Sequence, residues 1–322
     1  MSFRLRRSDD PPPRLALIDL GSNTALMSVL FGDSLDPRRL RIAEELQIMT
    51  GLGRNKGPKG ELCPAAQDRV LRALGHFASR LDAMAVPTDS VLGATTAAMR
   101  EAPDGPQFLE RIRAETGLQL TVISGEEEAE YVASAQERSF PFSLPILMID
   151  IGGGSTEVAW RERGSTAWKT STPIGSVKLS EAHGNDLKRL LQTARERVAT
   201  LPPATGSPTT VGVAGTVTTC YQIAIKQALW DPSEVHGEQL TRATVLDIAE
   251  RLSQLSSEEL RAVPGLPSGR ADYIVGGLAI LVAVMERYGA KELTVSDRGV
   301  RYGLLWERWP FAVIDEASKP SA

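Results

Sequence analysis

Cysteine is scarce in this chain. Cys63 and Cys220 are the only two and lie far apart; they make no metal or redox spacing, so a disulfide framework is excluded and two reduced thiols are expected. His76, His183 and His236 are equally scattered and form no metal-ligand pattern. No segment reaches the roughly 20 consecutive apolar residues of a membrane helix. The longest, 273–285, carries Gly276-Gly277 and reads as a core helix. Residues 1–13 hold Arg4, Arg6 and Arg7, but Asp9, Asp10 and three prolines stand where a signal peptide needs an apolar stretch. A frayed tail on a cytoplasmic protein, with no membrane partner, is the expectation. Excess positive charge is missing too: a net charge of −4 argues against nucleic acid as a partner, while a local basic cleft for another polyanion stays open. There is no Gly-Lys-Ser/Thr phosphate loop and no Gly-x-Ser-x-Gly elbow.

What the chain does have is one pattern twice. Asp19-Leu20-Gly21-Ser22-Asn23-Thr24 follows the apolar stretch Leu15-Ala16-Leu17-Ile18, and Asp150-Ile151-Gly152-Gly153-Gly154-Ser155-Thr156-Glu157 follows Ile146-Leu147-Met148-Ile149. Each reads as a buried strand, a turn of glycine and hydroxyl residues, and a returning strand. A turn with an acid at its entrance and bare backbone N–H groups at its tip is a phosphate cradle. One copy would be an ordinary hairpin with turn glycines. Two copies, in halves that otherwise differ, point to two lobes gripping one phosphorylated ligand.

The 322 residues suffice for two domains with separate cores. Val70, Leu74, Phe77, Leu81 and Met84 recur at helical spacing. Strands are expected at 90–94 and 118–123, with a helix at 106–115 ended by Gly117. Ser124 and Glu127 form a capping box that starts a helix over 126–138. Segment 34–40 reads as a hairpin turn, and 50–60, with Arg54, Lys56 and Lys59, as a mobile basic loop. The proline-containing stretch 139–145 is the candidate passage between lobes. Strands at 146–151, 156–160, 209–213 and 293–296, then an amphipathic segment with Leu304, Leu305 and Trp306, complete an α/β protein. The boundaries are a disordered tail over 1–13, a first lobe over 14–138 onto which 300–318 packs back, and a second lobe over 139–299.

Phosphoryl transfer asks a protein for positioning and charge neutralisation more than covalent chemistry. Gly152, Gly153 and Gly154 let backbone N–H groups reach phosphate oxygens unobstructed. Ser22, Asn23, Thr24, Ser155 and Thr156 add hydroxyl or amide donors. Asp150 and Glu157 bracket the second loop, and Asp19 is the matching acid of the first. At the ends of apolar strands their unpaired charge is costly, which favours holding Mg²⁺ through water over plain solvation. In Glu126-Glu127-Glu128, acids of a first helical turn suit the helix dipole. Glu127 has its capping duty; Glu128 is either another such acid or a base that activates water. Arg100 reads equally as an exposed helix arginine or a forked phosphate ligand. Gly212-Val213-Ala214-Gly215-Thr216 is a third strand-then-glycine turn, suited to phosphate approach or to helix packing.

Taken with Ala94-Thr95-Thr96-Ala97-Ala98-Met99-Arg100-Glu101-Ala102, Ile123-Ser124-Gly125-Glu126-Glu127-Glu128-Ala129, Arg270-Ala271-Asp272 and Val295-Ser296-Asp297-Arg298-Gly299, these runs resemble the exopolyphosphatase / guanosine pentaphosphate phosphohydrolase (Ppx/GppA) family of the actin-like superfamily. The motifs follow the family's order over about residues 14 to 305. The resemblance implies two ribonuclease-H-like lobes with the active site between them. It implies removal of the terminal phosphate from inorganic polyphosphate or from guanosine pentaphosphate. It makes Glu128 the catalytic base, Asp150 and Glu157 the Mg²⁺-associated acids, and Arg100 a phosphate clamp. Longer members continue into a helical region, so this chain resembles the short form. Ala214 stands where the family often has glycine, which is expected to tighten that turn. The basic stretch 54–59 is an expected extra contact for long polyphosphate. A non-catalytic phosphate sensor on the same lobes is the competing class, and nothing in the sequence fixes whether the chain forms a homodimer, a common state among such proteins.

Overall fold

The computed structural model describes residues 13–33, 36, 38–140, 145–162, 165–204, 208–229, 231 and 234–315. The 1–12 part of the expected tail, the expected passage over 141–144, part of the 34–40 turn and the end of the 300–318 segment lie outside these.

Two six-stranded sheets carry the fold. In the first, β1 (Arg14–Leu20), β2 (Thr24–Gly32) and β3 (Arg39–Met49) run antiparallel. β4 (Val91–Thr95) and β5 (Thr121–Val122) then lie parallel to β1, and β12 (Val313–Asp315) closes the other edge, giving the order β12-β3-β2-β1-β4-β5. The second sheet repeats the plan. β6 (Ile146–Ile151), β7 (Thr156–Glu162) and β8 (Ser165–Thr172) are antiparallel, while β9 (Thr209–Val213) and β11 (Glu292–Val295) run parallel to β6. β10 (Gln239–Thr241) pairs antiparallel at that edge. This is the two-lobed α/β architecture that the resemblance implies.

The apolar runs before the two loops have a physical cause. Strand side chains alternate between faces, and both faces of β1 and β6 are covered. Ala16, Ile18 and Leu20 join one core with α1 (Pro64–Ala83) and α3 (Gly105–Thr116), while Leu15 and Leu17 pack on the opposite side against Leu305 of α11 (Val300–Arg308). Leu147, Ile149 and Ile151 enter the core of the second lobe; Ile146 and Met148 face α4 (Gly125–Ser139) through Val132 and Ala133. Strands buried on both faces read as continuous apolar runs. Helices α4 and α11 pack against each other, α4 on β6–β8 and α11 on β1, so together they fill the space between the sheets.

In the second lobe α5 (Ser176–His183), α6 (Leu187–Val198), α7 (Ala214–Ala224) and α8 (Arg242–Ser253) pack around α10 (Ile274–Arg287), and the short α9 (Ser257–Arg261) adds Leu260 to the same core. Every residue from Ile274 to Met285 is buried, as an apolar-all-round helix requires. The short α2 (Ala97–Glu101) follows β4 directly. The capping box at the start of α4 forms as expected: Ser124 Oγ accepts from Glu127 N at 3.1 Å and Glu127 Oε2 accepts from Ser124 N at 2.7 Å.

Three expectations need correction. The strand over 118–123 shrinks to Thr121–Val122 because only two residues reach β4 at the sheet edge. β3 and β8, unexpected from sequence, are ordered by pairing with β2 and β7. The 50–60 segment is partly tied down: Arg54 Nη2 donates to Gly269 O at 2.9 Å and Lys56 Nζ lies 3.5 Å from Glu101, while Lys59 is exposed.

Removing an α10 core side chain should therefore cost far more than removing the α4 cap. Leu278→Ala is expected to lose about 2–5 kcal/mol and Ser124→Ala about 1 kcal/mol in urea unfolding. Equal small losses would contradict this packing.

Candidate active site

The two loops meet across a cleft of about 140 Å³ whose lining includes Asp19, Gly21, Ser22, Asn23, Thr24, Glu128, Asp150, Gly152, Gly153, Gly154 and Ser155. They are built alike. Gly21 N donates to Thr24 O and Gly152 N to Ser155 O, each at 3.0 Å. In each, a neighbouring segment ties the tip carbonyls back. Thr50 N and Gly51 N donate to Asn23 O at 2.9 Å, and Gly53 N to Ser22 O at 2.6 Å. In the second lobe Ser176 N donates to Gly152 O at 2.9 Å and Val177 N to Gly153 O at 3.0 Å. A trans peptide holds its C=O and the following N–H antiparallel. Tying those carbonyls back therefore turns the N–H groups of Asn23, Gly153 and Gly154 the other way, where an anion can meet them.

The side-chain donors fare differently. The Asn23 amide nitrogen is already engaged with the Tyr273 hydroxyl, with Thr24 Oγ1 at 3.2 Å and with Met49 Sδ at 3.4 Å. Thr24 Oγ1 points to Met49 Sδ at 3.2 Å. Thr156, expected to bind phosphate, is buried and gives its hydroxyl to Ile174 O at 2.6 Å, so it braces the hairpin instead. Ser22 and Ser155 remain at the lining.

The strand register places Asp150 opposite Glu157 in β6–β7; in β1–β2 the residue opposite Asp19 is Leu26. The extra acid thus belongs to the second loop alone. Glu157 is 1% exposed, and its Oε1 accepts from Ser171 Oγ at 2.6 Å. Burial pushes Glu157 up to about 6 against the hydrogen bonds from Ser171 and Ser155. Burial likewise pushes Asp19 up to about 6, with Arg301 opposing. Asp150 is raised by burial and then by Glu157 and Asp19. Glu128, 7% exposed, is raised by burial and then by Glu157, Asp150 and Asp19, with Arg100 pulling it down. Four acids from three segments thus share one poorly solvated space.

Arg100 stands behind Glu128. Its Nη1 donates to Ile123 O at 2.7 Å and lies 3.5 Å from Glu128 Oε2. It lines an adjoining basin with Ser124, Gly125, Lys169 and Ser171, and Glu157 also sits back from the cleft wall.

Several lining residues carried no role in the sequence reading. Arg270 and Arg301, both 8% exposed, bring cations to the wall. Arg270 Nη1 donates to Gly215 O at 2.8 Å, and a Cβ on Gly215 would sit 2.3 Å from that guanidinium, so this turn glycine makes room for an arginine. Asp297 is 2.7 Å from His236 Nδ1. Ala214 adopts φ of 65°, a left-handed conformation that strains a residue with a Cβ. Tyr273 and Ser176 complete the second-lobe wall. The sequence signals for these were the 212–216 turn and the Arg270 and Asp297 motifs; Arg301, Tyr273 and Ser176 had none.

Does the donor set suit Mg²⁺? Asp19 Oδ1, Glu128 Oε2 and Glu157 Oε2 are buried without a hydrogen-bond partner. Unpaired buried carboxylate oxygens are costly, and a cation would relieve them. Among the described residues no three acids, histidines or cysteines form a direct-coordination cluster. Mg²⁺, which keeps several waters and takes one or two carboxylates plus substrate phosphate, does not require such a cluster.

The family model described as the Ppx/GppA phosphatase family matches residues 36–310. The guanosine-5'-triphosphate,3'-diphosphate pyrophosphatase of Vibrio atlanticus is 31% identical over 307 residues, covering 92% of this chain and 59% of that protein. The chain spans about half the length of the curated relatives it matches. Among solved structures, a Ppx/GppA family member from Aquifex aeolicus gives a TM-score of 0.76 at 27% identity, covering 93% of this chain and 98% of the other. An exopolyphosphatase from Cytophaga hutchinsonii gives 0.83 at 25% identity, covering 93% and 99%. The lobes are thus of the actin-like, ribonuclease-H-like kind, and this chain belongs to the Ppx/GppA phosphatase family.

Proposed function

We propose that the chain is a Mg²⁺-dependent phosphoanhydride hydrolase that removes the terminal phosphate of inorganic polyphosphate as orthophosphate. The observation that carries this reading is the placement of Glu128: a buried carboxylate whose Oε2 accepts no hydrogen bond, on the cleft wall between two opposed backbone-amide cradles. The amide edges of Asn23, Gly153 and Gly154 would hold the terminal phosphate. Glu128 would take a proton from a water as that water attacks phosphorus, and Arg100 would favour its ionised form against the burial and neighbouring acids that raise it. The bridging oxygen leaves on the remaining chain, an anhydride leaving group that needs little acid help. Asp150, Glu157 and Asp19 would hold Mg²⁺ mainly through water, where it would neutralise phosphate charge.

Guanosine pentaphosphate is the second reading, favoured by the activity for which the Vibrio relative is named. The exopolyphosphatase from Cytophaga, whose solved chain this one covers almost entirely, supports polyphosphate as the first. A silent sensor would not need Glu128, Asp150 and Glu157 together. No helix among the described residues is long and apolar enough to cross a membrane, and a homodimer is consistent with this reading.

Orthophosphate release from long polyphosphate, short polyphosphate and guanosine pentaphosphate, with Mg²⁺, tests the proposal. Glu128→Gln is expected to slow release about 10²- to 10⁴-fold; equal rates would sink the mechanism, and release from no substrate would favour the sensor. Asp150→Asn should raise the Mg²⁺ concentration needed for half-maximal rate, and an unchanged Mg²⁺ curve would count against that ligand. Gly175→Ala places a Cβ 2.4 Å from the Gly153 carbonyl, so it should displace the second loop and lower kcat/KM; wild-type kinetics would show the cradle is not set there.

A further inference from the structure

The segment after β3 does something its composition hides. Arg54 reaches from the first lobe to the second: its guanidinium lies over the Tyr273 ring at 4.4 Å, Nη2 donates to Gly269 O at 2.9 Å, and Nη1 is 3.4 Å from Asp272. Tyr273, at the start of α10, lines the cleft. Its hydroxyl donates to Gly269 O and accepts from the Asn23 side-chain amide. Arg54 and Tyr273 thus converge on one carbonyl and, through it, on one residue of the first phosphate loop.

Hydrogen-bond counting fixes what Asn23 can offer. A tyrosine hydroxyl has one proton, and here Gly269 O takes it. Toward Asn23 the hydroxyl can only accept, so the asparagine must present its NH2 group. The remaining polar atom, Oδ1, is buried and has no partner, and Asn23 lines the cleft. An acceptor in that position suits a water, not a phosphate oxygen. We propose that Tyr273 and Arg54 are positioning residues for hydrolysis, which lock the Asn23 side chain so that its carbonyl oxygen, and not its amide, is available to orient water in the cleft. The stacked guanidinium stiffens the tyrosine ring, and the same contacts strap the two lobes together beside the first loop. The cation read from sequence as a polyphosphate contact is therefore structural in its action.

This inference rests on the hydrolytic reading, and two experiments separate them. Tyr273→Phe keeps the ring and removes only the hydroxyl; it should lower kcat about three- to tenfold, the worth of one hydrogen bond, with KM and the thermal midpoint little changed. Asn23→Ala should act in the same direction, and the double variant should be no slower than the slower single, because both remove one interaction. Arg54→Ala should follow Tyr273→Phe, with no rescue in Arg54→Lys, since an ammonium cannot reproduce the stacked fork. If Glu128→Gln is slowed as expected yet Tyr273→Phe and Asn23→Ala are additive, the positioning role fails while the hydrolytic reading stands. A second readout does not use turnover. The Asn23 side-chain NH2 signals, assigned by their loss in Asn23→Ala, should exchange slowly with solvent in the wild type and rapidly in Tyr273→Phe. Equal exchange in both proteins overturns the proposal.

Discussion

The site depends on what is done with a few backbone carbonyls. A glycine loop has as many acceptors as donors, and left free its carbonyls would repel a phosphate as strongly as its amides attract it. Here the carbonyls of Ser22 and Asn23 are held by the 50–53 turn, and those of Gly152 and Gly153 by the first turn of α5. Peptide planarity does the rest, turning the amide edges the other way. The segments that tie the loops are thus as necessary as the loops. That explains why Gly175, outside both motifs, leaves no space for a side chain.

The second constraint is charge. Asp19, Asp150, Glu157 and Glu128 repel one another in a space where each carries a desolvation cost, and three of their oxygens have no hydrogen-bond partner. Such an arrangement is unfavourable for stability alone. Perturbed carboxylates clustered in a cleft are the expected signature of a functional site. The two halves are nearly symmetric in backbone but not in chemistry: Leu26 occupies the position in the first hairpin that Glu157 occupies in the second. Three of the four acids therefore come from the second lobe's hairpin and α4, while the first lobe supplies Asp19 and the opposing cradle.

Much of this was legible in the chain. β1 and β6 stood out because burial on both faces leaves an unbroken apolar run, and the start of α4 because a capping box is local chemistry. β3 was not legible: Arg39–Met49 is rich in Glu, Leu and Arg, carries no clean alternation, and becomes a strand by pairing with β2. β8 follows the same logic beside β7. In the site, the paired acids and glycine tips were visible because each sits within one short motif. Arg301, Tyr273 and the Gly215–Arg270 contact were not, since each depends on residues brought together from distant parts of the chain. Thr156 shows the opposite error. Its residue type suited a phosphate, but its hydroxyl already had a backbone partner.

The central claim is that water, deprotonated at Glu128, attacks the terminal phosphorus held between the two loops. Hydrolysis in ¹⁸O-labelled water, followed by mass analysis of the products, tests it directly. The account predicts one solvent oxygen in each released orthophosphate and none in the shortened chain. Label in the remaining chain, or release of pyrophosphate in place of orthophosphate, would contradict it.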